Sequence, residues 1–423
     1  MNLIFRLFLI FFFCNSQATT LEQVYSLAEQ NDSIFQASLE QHKATQELEN
    51  QAFSYLLPNI RATAAKNNTK TETTDYNNTN LSLNLSQPIY NKATLHGLKQ
   101  VKYKIKESSL ALKLAQQNLM IKVVNLYFDV VSSKDALETY KLELSLIKSQ
   151  LNNIKQKFNL GLVPKTDLLE SQAQKDLSIS KVLSAETELL IAIEKLSEVI
   201  DSTDYNTQKL PSTTPFPVPV GNVDYWEQLA LKNNLSIKIK RMSSDSAREN
   251  INVQRAGHFP IIELTASATD LDSDNANVQD GRTDTIGLSL TLPLFSGGLT
   301  NSKVKEAQYS FLAVKKQLDH EQKQVKRKTR ELFFLIMSSI KQLKAAQVAL
   351  SSSKLALEAV KLGYSAGTRT TTDVLNARTK MFNSQLNLNK LKYQFLISSL
   401  SLKQVAGVLT KQDLVQISNM LVD

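Results

Sequence analysis

Two short stretches of this chain, 206 residues apart, follow one pattern. Residues 157–174 read KFNLGLVPKTDLLESQAQ, and residues 361–381 read KLGYSAGTRTTTDVLNARTKM. Phe158 falls on Tyr364, Gly161 on Gly367, Thr166 on Thr372, Asp167 on Asp373 and Leu169 on Leu375, all at the same spacing. Each copy stands between long polar stretches of helical periodicity. Each reads as a tight turn from helix to helix, with glycine supplying a positive φ and Thr-Asp capping the helix that follows. A chain of 423 residues would ordinarily suggest two or three unrelated domains. The repeat points instead to two similar halves, each built around a helical hairpin.

The helices flanking these turns are unusually long. Leu98, Ile105, Leu112, Leu119 and Leu126 recur every seven residues. Val304, Phe311, Leu318, Val325 and Leu332 do the same in the second half, again 206 residues on. Such heptads pack helix on helix with a left-handed supercoil. The pattern predicts a helix from about Asn91 to Phe158, roughly 100 Å long at 1.5 Å per residue. A helix of that length belongs to a rod, or to a tube made of several rods.

Residues 21–55 are mostly polar with helical spacing, and four segments then break the helical pattern: 57–65, 81–88, 261–269 and 285–294. Leu81, Leu83 and Leu85 alternate with Ser82, Asn84 and Ser86. Ile262, Leu264, Ala266 and Ala268 alternate with Glu263, Thr265 and Ser267, and Ile286, Leu288, Leu290 and Leu292 alternate with small residues. A period of two means strand. Polar loops at 66–78 and 270–284 join the strands into two hairpins, each running directly into a long helix. The prolines respect this map. Pro58 and Pro260 open the first strand of each hairpin, Pro88 and Pro293 close the second, and Pro164 lies in the first helical turn. Pro211, Pro215, Pro217 and Pro219 gather in a linker between the halves. None interrupts a helix, where proline costs about 3 kcal/mol.

The first residues, MNLIFRLFLIFFFCNSQATT, have the form of a secretory signal, with Arg6 before a short apolar run and a small-x-small site at Ser16-Gln17-Ala18. Its removal takes away Cys14, the one cysteine, and leaves no disulfide. The organisation expected is therefore a signal at 1–18, repeat 1 at 19–210 with its β-hairpin at 57–88 and tip at 158–167, a linker at 211–222, and repeat 2 at 223–423 with its hairpin at 260–294 and tip at 364–373. No later apolar run reaches the length of a transmembrane helix. An exported chain of this kind is either soluble or part of a membrane β-barrel. Four strands cannot close a barrel, since membrane barrels start at eight. Strands in lipid would need two or three copies of the chain to share one barrel.

At this point the chain resembles the TolC-type outer-membrane efflux proteins, the outer membrane factor family. The resemblance rests on the duplicated strand–strand–long-helix plan, on GLSLTLPLFSGGLTNSKVKEAQ at 287–308, on GYSAGTRTTTDVLNARTK at 363–380 and on YQFLISSLSLKQVAGVLTKQDL at 393–414. It implies a mixed membrane protein: a homotrimer whose twelve-stranded β-barrel, four strands per chain, sits in outer-membrane lipid. A long α-helical coiled-coil barrel continues from it through the periplasm, where most of the chain lies. It implies an exit duct for efflux or type I secretion, exporting drugs, toxic small molecules or proteins. The duct works with a periplasmic adaptor (membrane fusion) protein and an inner-membrane pump of the RND, ABC or MFS type.

The same resemblance makes the helical tips a periplasmic gate of Thr166, Asp167, Tyr364, Arg369, Asp373 and Asn376. It implies a bond from Tyr364 to Asp167 within one chain, and from Arg369 to Thr166 and Asp167 of a neighbouring chain. Asp373 would line the narrowest ring, where carboxylates attract cations. A second acidic ring, one turn later in relatives of this type, is replaced here by Asn376. The expectation is weaker cation selectivity and weaker block by multivalent cations. The adaptor would dock at Gly161, Leu162, Gly367 and Thr368. The residues themselves leave plainer roles open: Asp167 and Asp373 as helix caps with Glu170 and Asn376 completing capping boxes, Tyr364 as packing at a helix end, Arg369 as a solvated turn residue.

No catalytic constellation is expected. His42, His96, His258 and His320 are scattered without ligand spacing, so no metal or cofactor is implied. Phosphate loops, nucleophile elbows and Cys/His pairs are missing from the sequence. The net charge of +9 and the run KQVKRKTR at 323–330 raise nucleic acid as a partner. Export and the lack of interleaved aromatics argue instead for a solvated helix face. The rival function is a soluble periplasmic coiled-coil adaptor or scaffold, which explains the heptads but not four alternating strands in two repeats.

Overall fold

The structure is a computed structural model that describes residues 20–202, 207–211, 216–275 and 277–422. The signal expected at 1–18, with Cys14, and residues 212–215 of the linker lie outside these. The chain runs α1 (Leu21–Asn31), α2 (Ser33–Ser54), β1 (Asn59–Lys70), β2 (Asp75–Asn91), α3 (Lys92–Asn159) and α4 (Lys165–Ile200). The pattern then repeats as α5 (Val223–Asn233), α6 (Leu235–Arg255), β3 (Ile261–Ser273), β4 (Gly281–Thr291), α7 (Leu299–Ser365) and α8 (Thr371–Val405), with a closing α9 (Lys411–Ser418). The helix expected over 91–158 is α3, 68 residues long, and its counterpart α7 has 67.

Three expectations need correction. The helical stretch at 21–55 is two helices, because Asp32 stops α1 and caps α2 by accepting from the Phe35 N–H at 2.7 Å. Asn234 does the same between α5 and α6, accepting from Ile237 at 3.0 Å. The hairpin loops are much shorter than 66–78 and 270–284. β1 runs on to Lys70 and β2 begins at Asp75, and β3 reaches Ser273 before β4 resumes at Gly281. Polar residues there pair through the backbone, which needs no apolar alternation. In the second repeat the strand does not run directly into its helix. Residues 292–298 intervene, and Gly297 and Gly298 at φ +58° and +81° turn the chain into α7.

Two compact units form, and each draws on both halves of the sequence. The first comprises Ala37–Ala115 and Leu231–Arg327 and contains a single antiparallel sheet in the order β1-β2-β3-β4. Directly opposed residues share a face in an antiparallel pair, so the register fixes the sheet's chemistry. Ile60, Leu85, Ala266 and Ile286 form one cross-strand row, and Ala62, Leu83 and Ala268 form the next. Leu264 with Leu288 and Ile262 with Leu290 extend the same face. The opposite face carries Arg61, Asn84, Ser267 and Thr285 in one row and Thr63, Ser82, Thr269 and Thr283 in another. The apolar face is exposed: Ile286 is 77% accessible, Leu288 68% and Leu290 65%. Pro88 is tolerated inside β2 because the β1 ladder has already ended at Asn59–Ser86, and the register slips between Pro88 and Tyr90.

The second unit comprises Gln116–Ala230, Lys328–Asp423 and the stretch before Ala37. Its core is apolar and fully buried, with Tyr127, Phe128, Leu196, Ile200, Ile336, Phe395 and Leu402 at its centre. Phe128 stacks on Tyr393 with ring centres 5.3 Å apart, and Phe216 meets Phe395 edge-on at 5.1 Å. The Tyr127 hydroxyl accepts from the Gln208 N–H at 2.8 Å, and Lys209 pairs with Val422 through two backbone bonds. This unit carries both helical tips.

Candidate functional site

Both helical tips use the same backbone device. At the end of α3, Gly161 N–H bonds to Phe158 C=O and Leu162 N–H to Lys157 C=O, each at 2.9 Å. At the end of α7, Gly367 N–H bonds to Tyr364 C=O at 3.1 Å and Thr368 N–H to Gly363 C=O at 2.9 Å. This is the Schellman termination, which requires a left-handed residue at the first position past the helix. Gly161 and Gly367 fill it at φ +72° and +75°, and a β-carbon on either would meet no atom within 4 Å. Leu160 and Leu162 stand exposed at the first apex.

The caps differ from those expected. Thr370, not Thr372 or Asp373, is the cap of α8. Its hydroxyl accepts from the Asp373 N–H at 3.2 Å, while Asp373 accepts from the Thr370 N–H at 2.9 Å. The capping box is therefore Thr370–Asp373, and Asn376 and Glu170 take no part in one. The position 206 residues before Thr370 is Pro164, which caps α4 without a side-chain bond. Proline lacks the hydroxyl a box needs, so Thr166 and Asp167 sit uncapped in the first turn of α4. The hydrogen bonds from Thr370, backbone first, hold the Asp373 carboxyl below its ordinary value, and Arg369 adds to this.

Tyr364 joins the tips through partners the sequence did not reveal. Its hydroxyl accepts from Lys157 Nζ at 3.3 Å, and the same ammonium lies 4.8 Å from the ring centre. Thr371 Oγ1 approaches the hydroxyl at 3.5 Å. Burial alone would raise the Tyr364 hydroxyl, but bonds from Thr371 and Lys157 and the lysine charge bring it below the usual phenol value. The expected Tyr364–Asp167 bond is not formed. Asp167 is close enough for its charge to oppose that shift. Arg369 lays its side chain along the last turn of α7, where a β-carbon on Gly363 would come within 2.8 Å of its Cγ. A further bond crosses between the tips: the Thr372 hydroxyl donates to the Glu170 carboxylate. Thr166 and Asn376 make no side-chain bond to a described residue.

Further along the same helices lies a buried polar layer that periodicity could not reveal. Asp135 accepts from Tyr393 at 2.5 Å and from Asn389 at 3.1 Å. Burial pushes the Asp135 carboxyl up, against the Tyr393 bond and the Lys209 charge. Glu143, 1% accessible, accepts from Thr379 at 3.2 Å and pairs with Lys181 at 3.5 Å. Arg378 lies beside it, its guanidinium pushed down by burial.

Other expected features are scattered. In the sheet-bearing unit, His96 bonds to Glu249, and His42 bonds to Ser108 at 3.0 Å. No group of three metal-ligating side chains converges among the described residues. Arg330 of the basic run pairs with Glu227 at 2.6 Å and Asp224 at 3.1 Å on α5. No described helix is long and apolar enough to cross a membrane.

Two helices of nearly seventy residues, one in each repeat, together with an amphipathic four-stranded sheet, define a narrow class of proteins. The family model described as outer membrane efflux protein matches residues 24–201 and 226–408, and the chain belongs to that family. It is 31% identical over 430 residues to the outer membrane protein TolC of Escherichia coli, covering 96% of this chain and 86% of that protein. It is 26% identical to the alkaline protease secretion protein AprF of Pseudomonas aeruginosa, over 98% of this chain and 90% of that one. The solved CmeC outer membrane channel of Campylobacter jejuni superposes with a TM-score of 0.81 at 19% identity, covering 95% of this chain and 90% of that one, which shows a shared fold.

Proposed function

We infer that this chain is an outer-membrane exit channel serving efflux and type I secretion. Relatives named for efflux and for protease secretion support both uses. The observation that carries the assignment is the sheet. One face carries the apolar rows of Ile60, Leu85, Ala266 and Ile286 and of Ala62, Leu83 and Ala268, with Ile60, Leu83 and Ile286 exposed, and the other face is polar. That is the alternation of a membrane barrel wall, with lipid outside and water within. β1 and β4 are both edges, and an open edge in lipid would leave several kcal/mol per unpaired group. Three copies joining β1 to β4 close twelve strands and remove every edge. A soluble adaptor has no use for such a face.

In this arrangement residues 1–18 are the cleaved export signal, and repeats 19–210 and 223–423 flank the linker at 211–222. The coiled helices form a periplasmic tube, and their tips form its entrance. Thr166, Asp167, Tyr364, Arg369, Asp373 and Asn376 line the gate. Gly161, Leu162, Gly367 and Thr368 meet a periplasmic adaptor, itself coupled to an inner-membrane pump. No step of the work is chemical: the tube conducts, and the pump supplies the energy. Tyr364→Phe with Arg369→Ser tests the gate. Purified protein in planar bilayers should conduct, and the double variant should conduct several-fold more. Wild-type and variant channels of equal conductance would refute the gate assignment.

A further inference from the structure

Glu170 and Asn376 occupy the same place in the two repeats, 206 residues apart and three residues after Asp167 and Asp373. The N-terminal ends of α4 and α8 therefore match at one acidic position, in the first turn, and differ one turn later. The neutral Asn376 would leave one acidic position empty of charge if each repeat acted alone. The repeats do not act alone, because the Thr372 hydroxyl of the second donates to the Glu170 carboxylate of the first. That bond holds the charge of α4 against the first turn of α8, beside Asp373, the next residue along.

We propose that Glu170 is a selectivity-determining residue of the entrance, supplying from the first repeat the negative charge that Asn376 omits from the second. The assignment rests on the duct function proposed above. Asp373 is spent in part on its capping box with Thr370 and on the nearby Arg369. Glu170 has no basic side chain within salt-bridge distance among the described residues, is exposed, and is oriented by a neutral hydroxyl. Its carboxylate therefore faces ions passing the tip. Three copies place three such charges around one opening, where they concentrate cations and hinder anions. Cation selectivity thus survives the loss of an acid at 376, contrary to what the second repeat alone implies.

Reversal potentials in a salt gradient and block by hexamminecobalt, measured on full-length protein in planar bilayers, test this. Glu170→Gln keeps a hydrogen-bond acceptor for Thr372 and removes only the charge. It should lower the potassium-to-chloride permeability ratio about twofold or more and weaken hexamminecobalt block roughly tenfold. Thr372→Val keeps the charge and removes the tether, and should show a smaller shift in the same direction, whereas Thr372→Ser should match wild type. Glu170→Gln combined with Asn376→Asp should restore both properties, which a merely structural role for Glu170 would not produce. Wild-type selectivity and block in Glu170→Gln would overturn the proposal while leaving the duct intact. A wild-type protein that forms no channel would overturn the duct function, and this proposal with it.

Discussion

At Gly367 the structure separates conformational cost from steric cost. Its φ is +75°, and a β-carbon would meet nothing within 4 Å. Gly367→Ala therefore introduces only the left-handed penalty of an L-residue, about 1–2 kcal/mol. The two amides that depend on this turn are Gly367 N–H to Tyr364 C=O and Thr368 N–H to Gly363 C=O. Opening them should become roughly 5- to 30-fold easier, read as faster hydrogen exchange at positions 367 and 368 by mass spectrometry. Gly367→Asn should exchange more slowly than the alanine variant, since asparagine tolerates the left-handed region. Gly97, inside α3, also has open space around it but no positive φ. Gly97→Ala should slow exchange locally by helix propensity, about 1 kcal/mol. Unchanged exchange in Gly367→Ala, or acceleration in Gly97→Ala, would refute the reasoning.

Leu288→Lys places a charge on the apolar face of β4, at about 2–4 kcal/mol for a residue deep in lipid. It should sharply reduce the protein recovered from outer-membrane fractions, while Ser289→Lys on the other face should not. Asp135→Asn should raise the thermal midpoint by about 1–3 °C at pH 7. Burial has raised the folded-state pKa of Asp135, so its charge opposes folding at neutral pH. The wild type recovers that stability as pH falls through the folded value, and the two proteins should converge in acid. Asp32 carries the opposite sign. Burial would raise its pKa, but the Lys122 bond and the Phe35 N–H outweigh it and hold the folded-state value low. Its stabilisation exists above the ordinary aspartate pKa and is lost as pH falls through the folded value. Asp32→Asn should thus be less stable than wild type at pH 7, with the gap closing in acid.

Much of this architecture was legible in the sequence because periodicity is a local signal. The heptads from Leu98 located α3 nearly to the residue and those from Val304 located a second long helix without its ends, and the alternation around Leu83, Ala266 and Leu288 located the strands. Strand ends were not legible, because residues 66–70 and 270–273 pair through backbone groups and carry no pattern. The break at Asp32 was missed although Asp32 is a cap residue, because the helical spacing read over 21–55 runs across it. At the tips, the repeat located both glycines and both aspartates but misassigned the cap. Thr370 and Pro164 differ in the side chain that decides it. Lys157 could not be found by comparing the halves, because its counterpart is Gly363. Long-range pairs such as Asp135–Tyr393 depend on which helices meet, and no single helix's period contains that.

We propose that the sheet is one third of a barrel closed by identical chains. The mass of the protein extracted from outer-membrane fractions, by light scattering with bound detergent subtracted, tests it most directly. A barrel shared in this way has the mass of three mature chains and is released only by detergent. Protein that leaves the membrane fraction in salt or buffer alone, at the mass of one or two chains, would contradict it.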